Sequence, residues 1–296
     1  MAAVAQDLAG AVLRGLRDLP GRLSQAEPLA RHTTFRIGGA ATVMYWPTDS
    51  GALVEAARWA EESGVPWRVL GGGSNVLFLD RGFPGLVLST RKLTRVELDR
   101  TELRAQAGVP LAALVRCGVG SLAGIPGTVG GAVVMNAGTR HGCLGQYLRW
   151  VRALDGRGRL RKLGPAECEL GNRDSALRRL GWPVLSAGFR HGEGSVDPRR
   201  VLEERGVSQP GGLPSAGCVF RNPPDGPPAG WLIERAGLKG VRVGDAVVSE
   251  VHANFICNAG QARASDVLAL IERVRCRVQQ AFGIWLSLEL DVINPL

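Results

Sequence analysis

Apolar residues recur at helical spacing at Val4, Leu8, Val12 and Leu16, which predicts an amphipathic helix opening a lead-in over residues 1–30. From 41 to 90 the pattern becomes short apolar runs between turn glycines. Strands are predicted at 43–46, 67–70 and 85–88, with one helix over 50–63, the pattern of a small α/β unit. Short strands at 95–98 and 103–107 follow, then a helix over 111–117. Residues 148–190 read as further strands around a polar hairpin, Asp155-Gly156-Arg157-Gly158. The polar and Pro/Gly-rich stretch 191–215 is the predicted linker. Beyond it, Val267, Leu270, Ile271, Val274 and Val278 mark the buried face of a helix, with Ser265 as its N-cap and Gly283 as its end. The chain closes on strict alternation. Ile284, Leu286, Leu288 and Leu290 face one way and Ser287, Glu289 and Asp291 the other, which predicts a strand over 284–292.

With 296 residues, 45% hydrophobic and 21% charged, the chain has the composition of a soluble globular enzyme of two or three domains. The net charge of +9 comes almost wholly from arginine, since lysine occurs only at 92, 162 and 239. The arginines are scattered singly, without blocks or interleaved aromatics. That argues against nucleic acid and suits phosphorylated small molecules or an Arg-rich composition. Six cysteines, at 117, 143, 168, 218, 257 and 276, show no CxxC spacing and no histidine near a pair, so no metal site is expected and a reducing compartment is. Asp7, Arg14 and Arg17 interrupt any signal-peptide core, and no apolar run is long enough for a membrane span. A cytoplasmic protein with no membrane partner is expected.

The 41 glycines cluster, which points to sites built from backbone. Leu70-Gly71-Gly72-Gly73-Ser74-Asn75 follows a predicted strand; three glycines let the backbone approach a phosphate, and Ser and Asn add donors. A plain flexible turn stays open for this cluster alone. The second cluster runs Gly124-Ile125-Pro126-Gly127-Thr128-Val129-Gly130-Gly131-Ala132 into Met135-Asn136-Ala137-Gly138. It lacks the GK[ST] ending of a Walker A loop. Gly118-Val119-Gly120 with Ala123 matches a dinucleotide fingerprint formally, but it follows a helical segment and is rejected as a Rossmann site. Two phosphate cradles about fifty residues apart suggest a pyrophosphate held between two subdomains.

Five segments in order then carry a resemblance: His32-Thr33-Thr34-Phe35-Arg36-Ile37-Gly38-Gly39, Leu70 to Asn75, Ala123 to Gly138, Pro214-Ser215-Ala216-Gly217-Cys218-Val219-Phe220-Arg221-Asn222-Pro223, and Ala229 to Glu234 through Gly237-Leu238-Lys239-Gly240. His252-Ala253-Asn254-Phe255 and Phe282-Gly283-Ile284 extend it. From about residue 30 to its end the sequence resembles the UDP-N-acetylenolpyruvoylglucosamine reductase family. The resemblance implies an α+β chain: an FAD-binding fold of the vanillyl-alcohol-oxidase (PCMH) type in two subdomains, 1–90 and 91–195, and a C-terminal α/β substrate-binding domain, 196–296. It implies NADPH-dependent, FAD-mediated reduction of the enolpyruvyl UDP-sugar to UDP-N-acetylmuramate in peptidoglycan precursor synthesis. An FAD-dependent alcohol oxidase of the same cofactor fold is the alternative, and a nucleic-acid-binding protein that has lost its flavin is a second. A monomer is expected.

The resemblance places FAD on Gly71, Gly72, Gly73, Ser74 and Asn75 and on Ile125, Pro126, Gly127, Thr128, Gly130, Gly131, Asn136 and Gly138. It places the enolpyruvyl step on Arg173 and Glu289, and gives Cys218 the proton donor's position, where many relatives carry Ser. Gly217, Arg221, Asn222 and His252 are implied substrate contacts. A fixed guanidinium at Arg173 suits charge developing at a conjugated carboxylate; a surface arginine is the bland alternative. For Glu289 that alternative is a solvated edge carboxylate, and for Cys218 an inert buried thiol. Two departures stand out. Asn172 replaces the tyrosine common before the arginine, and no tyrosine lies beyond Tyr147, so a tyrosine lid is excluded. Ser287 and Leu288 replace the usual acidic residue and proline.

Overall fold

The computed structural model describes residues 2–190 and 196–294, with side chains from residue 6 onward. Val4's side chain and the 191–195 part of the predicted linker lie outside the described residues. The chain divides into two compact units. Unit 1 is Met1–Ala26, Thr42–Gly72 and Gly85–Arg205; unit 2 is Glu27–Ala41, Gly73–Pro84 and Gly206–Leu296.

Unit 1 contains two large sheets, beside the short strand pair Gly138–Thr139 and Gly142–Cys143. The first has the order Gly21–Pro28, Ala40–Pro47, Phe83–Ser89, Trp67–Leu70, with the last two strands parallel. Helices Ala2–Leu16 and Ser50–Glu62 bury Val12, Leu16, Leu53 and Ala56 with Leu86 and Leu88 of the sheet. The Ser50–Glu62 helix starts at Asp49, whose carboxylate accepts from the Ala52 amide at 2.9 Å. The second sheet has the order Leu160–Leu163, Leu148–Leu154, Val184–Phe189, Leu103–Gln106, Val96–Leu98, antiparallel throughout. Period-2 alternation sends Leu103, Ala105, Val151, Ala153, Ala187 and Phe189 into one core with helices Leu111–Arg116 and Val129–Val134. The hairpin predicted at Asp155 is present. Its carboxylate accepts from the amides of Arg157 and Arg159, both at 2.9 Å.

Unit 2 is a four-stranded antiparallel sheet, Ser215–Cys218, Phe255–Asn258, Ala246–Val248, Arg242–Val243, packed with helices Ala229–Arg235 and Ala264–Phe282. The predicted face of the last helix, Val267 through Val278, is wholly buried.

Four local expectations are corrected. Ser265 is not an N-cap. The helix has Arg263 in that position, and the amides of Ala264 and Ser265 donate to the Asp80 carboxylate at 2.7 and 3.1 Å. A carboxylate distant in sequence does the capping, so Ser265 continues the helix. Burial opposes the Asp80 charge, but these amides and Arg263 outweigh it and hold its pKa below the ordinary value. The closing strand is Asp291–Ile293 alone, parallel to Val76–Phe78. Residues 284–290 keep the alternation, with Leu286 and Leu290 buried and Ser287 exposed, but their backbone bonds go singly to Val219 and Arg221. The predicted linker contains the helix Pro198–Ser208, whose one buried residue, Val201, gives no apolar period to detect. The lead-in contains the strand Gly21–Pro28, whose burial does not alternate.

Candidate functional site

In unit 1 the two glycine clusters pack directly on each other. A Cβ on Gly72 would lie 2.7 Å from Gly127 Cα, and one on Gly71 would lie 2.6 Å from Thr128 Oγ1 and 3.8 Å from Thr90 Oγ1. Gly127 adopts φ +120°, open to glycine and costly for any side chain. Thr128 occupies the N-cap position of Val129–Val134, where a hydroxyl ordinarily caps, yet it makes no cap bond. The hydroxyls of Thr90 and Thr128 are both buried without a hydrogen-bond partner. Unpaired buried hydroxyls beside a side-chain-free loop fit a ligand with phosphate oxygens. Gly131 adds a different signal. A Cβ there would meet no atom within 4 Å, and its φ lies outside the left-handed region, so neither packing nor conformation within the protein requires glycine. Gly130, in contrast, is needed against Ala107, 2.9 Å from an added Cβ. Ile125 is half-buried and Pro126 exposed.

The same unit fixes Arg173. Its backbone is left-handed at φ +55°, and its guanidinium donates to the Gly138 carbonyl at 2.6 Å. Arg178 donates to the Arg173 carbonyl at 2.9 Å. Asn136, also left-handed, donates to the Gly171 carbonyl at 2.8 Å and accepts from the Gly145 amide at 3.0 Å. Its amide thus joins three loops, and Gly138 serves through its carbonyl.

Unit 2 brings Cys218 and Glu289 onto adjoining segments. Cys218 ends the strand Ser215–Cys218 opposite Phe255, after a register shift at which Gly217 takes φ +78°. The Glu289 amide donates to the Val219 carbonyl at 2.8 Å, and the Arg221 amide donates to Ser287 at 2.9 Å. Asn254, buried to 3% exposure, clamps this stretch: its carboxamide accepts from the Phe220 amide and donates to the Phe220 carbonyl at 2.9 and 2.8 Å. Its own carbonyl accepts from Val219 at 2.8 Å. Asn75 holds the other side, donating to the Glu289 carbonyl at 3.1 Å. The 70–75 motif passes from unit 1 to unit 2 after Gly72. In unit 2 Gly73 adopts φ +66°, with Thr33 Cα 2.8 Å from an added Cβ, and Ser74 is half-buried.

Of the other predicted contacts, Asn222 accepts from the Ala229 amide at 2.9 Å and so caps a helix. Arg221 is half-buried with no carboxylate against it among the described residues. His252 Nδ1 accepts from the Asn254 amide at 3.2 Å, and its ring meets Phe255 edge-on at 5.0 Å. Burial is the main cause that pushes the His252 pKa below the ordinary value. No group of histidine, cysteine, aspartate or glutamate among the described residues could hold a metal. No helix among them is long and apolar enough to cross a membrane. Thr90 and Asn254 were not singled out in the sequence. Thr90 sits outside every motif, and Asn254 falls within the His252–Phe255 segment of the resemblance without a role assigned to it.

Two family models match: an FAD binding domain over residues 41–164, and the C-terminal domain of UDP-N-acetylenolpyruvoylglucosamine reductase over 209–293. Cys218 and Glu289 fall inside the second; Arg173 lies between the two. The reductase of Syntrophobacter fumaroxidans is 44% identical over 91% of this chain and 83% of its own length. That of Moorella thermoacetica is 45% identical over 90% and 91%. The chain belongs to the UDP-N-acetylenolpyruvoylglucosamine reductase family. The crystal structure of the Thermus caldophilus reductase, 36% identical, covers 93% of this chain and 100% of that one with a TM-score of 0.77. The fold is therefore the family's α+β, FAD-binding fold, as the sequence implied.

Proposed function

We propose that this chain reduces UDP-N-acetylenolpyruvoylglucosamine to UDP-N-acetylmuramate, with FAD as its cofactor and NADPH as co-substrate, in peptidoglycan precursor synthesis. The observation that carries this reading in the geometry is the cradle of Gly71, Gly72 and Gly127 with the unpaired hydroxyls of Thr90 and Thr128. Bound FAD supplies the hydride transfer, which no side chain can perform. In unit 1 the backbone of Gly71, Gly72 and residues 125–131 would hold the cofactor's phosphates, with Gly131 leaving the short helix open to it, and Gly73, Ser74 and Asn75 are assigned to the same motif. Asn136 and Gly138 act behind the site, holding Arg173. The Arg173 guanidinium stabilises negative charge as the double bond conjugated to the substrate carboxylate is reduced. The Cys218 thiol gives its proton to the α-carbon, completing the lactyl ether. Glu289 is the second group of this step, its carboxyl donating to the substrate when protonated. Arg221 and His252 contact the sugar nucleotide, and Gly217 keeps the strand open beside them.

We assign cofactor binding to the two large sheets of unit 1, as subdomains parting near residue 90, and substrate binding to the segment after 195. The working form is a cytoplasmic monomer. Anaerobic titration of the purified yellow protein tests the reading. NADPH should bleach it, and the enolpyruvyl sugar nucleotide should restore the colour. Failure of NADPH to bleach, with rapid reoxidation by oxygen after an alcohol substrate, would instead establish the oxidase.

A further inference from the structure

The outer face of the five-stranded sheet in unit 1 forms an open groove of about 840 Å³. Its floor is the central strand, where the outward positions are only Ser186 and Gly188. Trp150 lies against Gly188, where any side chain would overlap the indole, and its ring nitrogen donates to Glu102 at 2.7 Å.

The two walls differ in charge. On the Val96–Leu98 side the cations are already paired: Arg104 with Glu102 at 2.6 Å and Arg95 with Glu97 at 2.8 Å. On the other side Arg152 stands directly opposite Lys162 across the strand pair, and its other neighbour is Ser186. Like charges directly opposite destabilise a sheet. No carboxylate meets either cation among the described residues; Lys162 has only the Trp150 ring, 5.2 Å away. On this side the rim is apolar and exposed at Leu160, 46% accessible. The sheet thus keeps an unrelieved pair of cations beside an exposed leucine.

We infer that this groove docks an extended acidic segment of a partner polypeptide, with carboxylates on Arg152 and Lys162 and apolar side chains against Leu160. Two unpaired cations are too few to follow a continuous phosphate backbone, and Trp150, occupied by Lys162 and Gly188, offers no stacking platform for bases. A second copy would set like strips against each other.

Fluorescence anisotropy with a labelled peptide alternating glutamate and leucine tests the inference, using the flavin-loaded protein. The wild type should bind, and the charge-reversed double variant Arg152→Glu/Lys162→Glu should bind at least about tenfold more weakly. Leu160→Ser should lose several-fold, and Lys162→Gln serves if the double variant fails to fold. Arg273→Glu/Arg277→Glu changes the net charge equally on the exposed side of the last helix and should bind as the wild type does. Equal loss in that control, no loss in the groove variants, tighter binding of an oligothymidylate than of the peptide, or self-association abolished by Arg152→Glu would each overturn it. Bleaching by NADPH should be unchanged in every groove variant, so the outcome is independent of the proposed reaction.

Discussion

The glycine cradle of unit 1 and the Cys218 segment of unit 2 are built on opposite plans. The cradle leaves side chains out: Gly71, Gly72 and Gly127 approach to distances that no Cβ would permit, and two threonine hydroxyls point into the result without partners. The Cys218 segment adds side chains to hold backbone: Asn254 binds both polar groups of Phe220, and Asn75 binds the Glu289 carbonyl. The first plan suits a ligand that brings its own oxygens. The second suits a proton donor that must stay in one place while charge moves. Each plan fails in its own way when altered.

The largest effect should come from adding bulk where the protein itself has space. The Cβ that Gly131→Leu adds meets no protein atom within 4 Å, and leucine is the better helix former by somewhat under 1 kcal/mol. The variant should fold at least as well as FAD-stripped wild type, yet purify colourless and inactive. Gly72→Ala should also lose flavin but should destabilise the apoprotein, because the added carbon meets the Gly127 backbone. Absorbance and thermal unfolding of the stripped proteins read both effects. A yellow Gly131→Leu protein would move the cofactor away from the short helix.

In unit 2, Cys218→Ala should keep its flavin and its bleaching by NADPH, while turnover falls about 10²–10⁴-fold, the range for a lost general acid. Cys218→Ser should stay active with an altered pH profile. Full activity in Cys218→Ala would return the thiol to the status of a small half-buried residue.

These two regions were unequally legible in the sequence. Helix Ala264–Phe282 was read almost to its ends because its apolar period is local. The glycine clusters stood out because glycine is itself the signal. Thr90 did not, since an unpaired hydroxyl exists only once the loops have met. The junction of Cys218 with Glu289 was likewise hidden, as it depends on a left-handed Gly217 and on single backbone bonds where a regular strand was expected. The capping of Ala264 by Asp80 spans 184 positions, which no local motif encodes.

A smaller effect should separate clamping from chemistry. Asn254→Ala leaves the buried N–H and C=O of Phe220 unpaired, each costing about 1–3 kcal/mol. Urea unfolding should show that loss, and turnover should fall by about tenfold with KM for NADPH unchanged, since unit 1 is untouched. If turnover were unaffected, Asn254 would stabilise unit 2 without positioning the acid.

The smallest effect concerns His252. Burial of the ring, aided by Lys239 and opposed by Glu234, holds its folded pKa below 6.5. A histidine shifted this way contributes stability that is fully present above its unfolded value and is lost as the pH falls through the folded one. The unfolded chain takes up the proton first, so acidification below about 6.5 should favour unfolding. The neutral ring is also the form that can accept from the Asn254 amide at Nδ1. His252→Asn places an oxygen near that nitrogen and cannot titrate, so its urea midpoint should fall less than the wild type's between about pH 7.5 and 5.5. The ring's proton resonances in the wild type should titrate with a midpoint below 6.5. A midpoint above that value would mean that Glu234 outweighs burial, and the acid sensitivity of unit 2 would then have to come from its carboxylates, with Asp80 at the start of the last helix the first to examine.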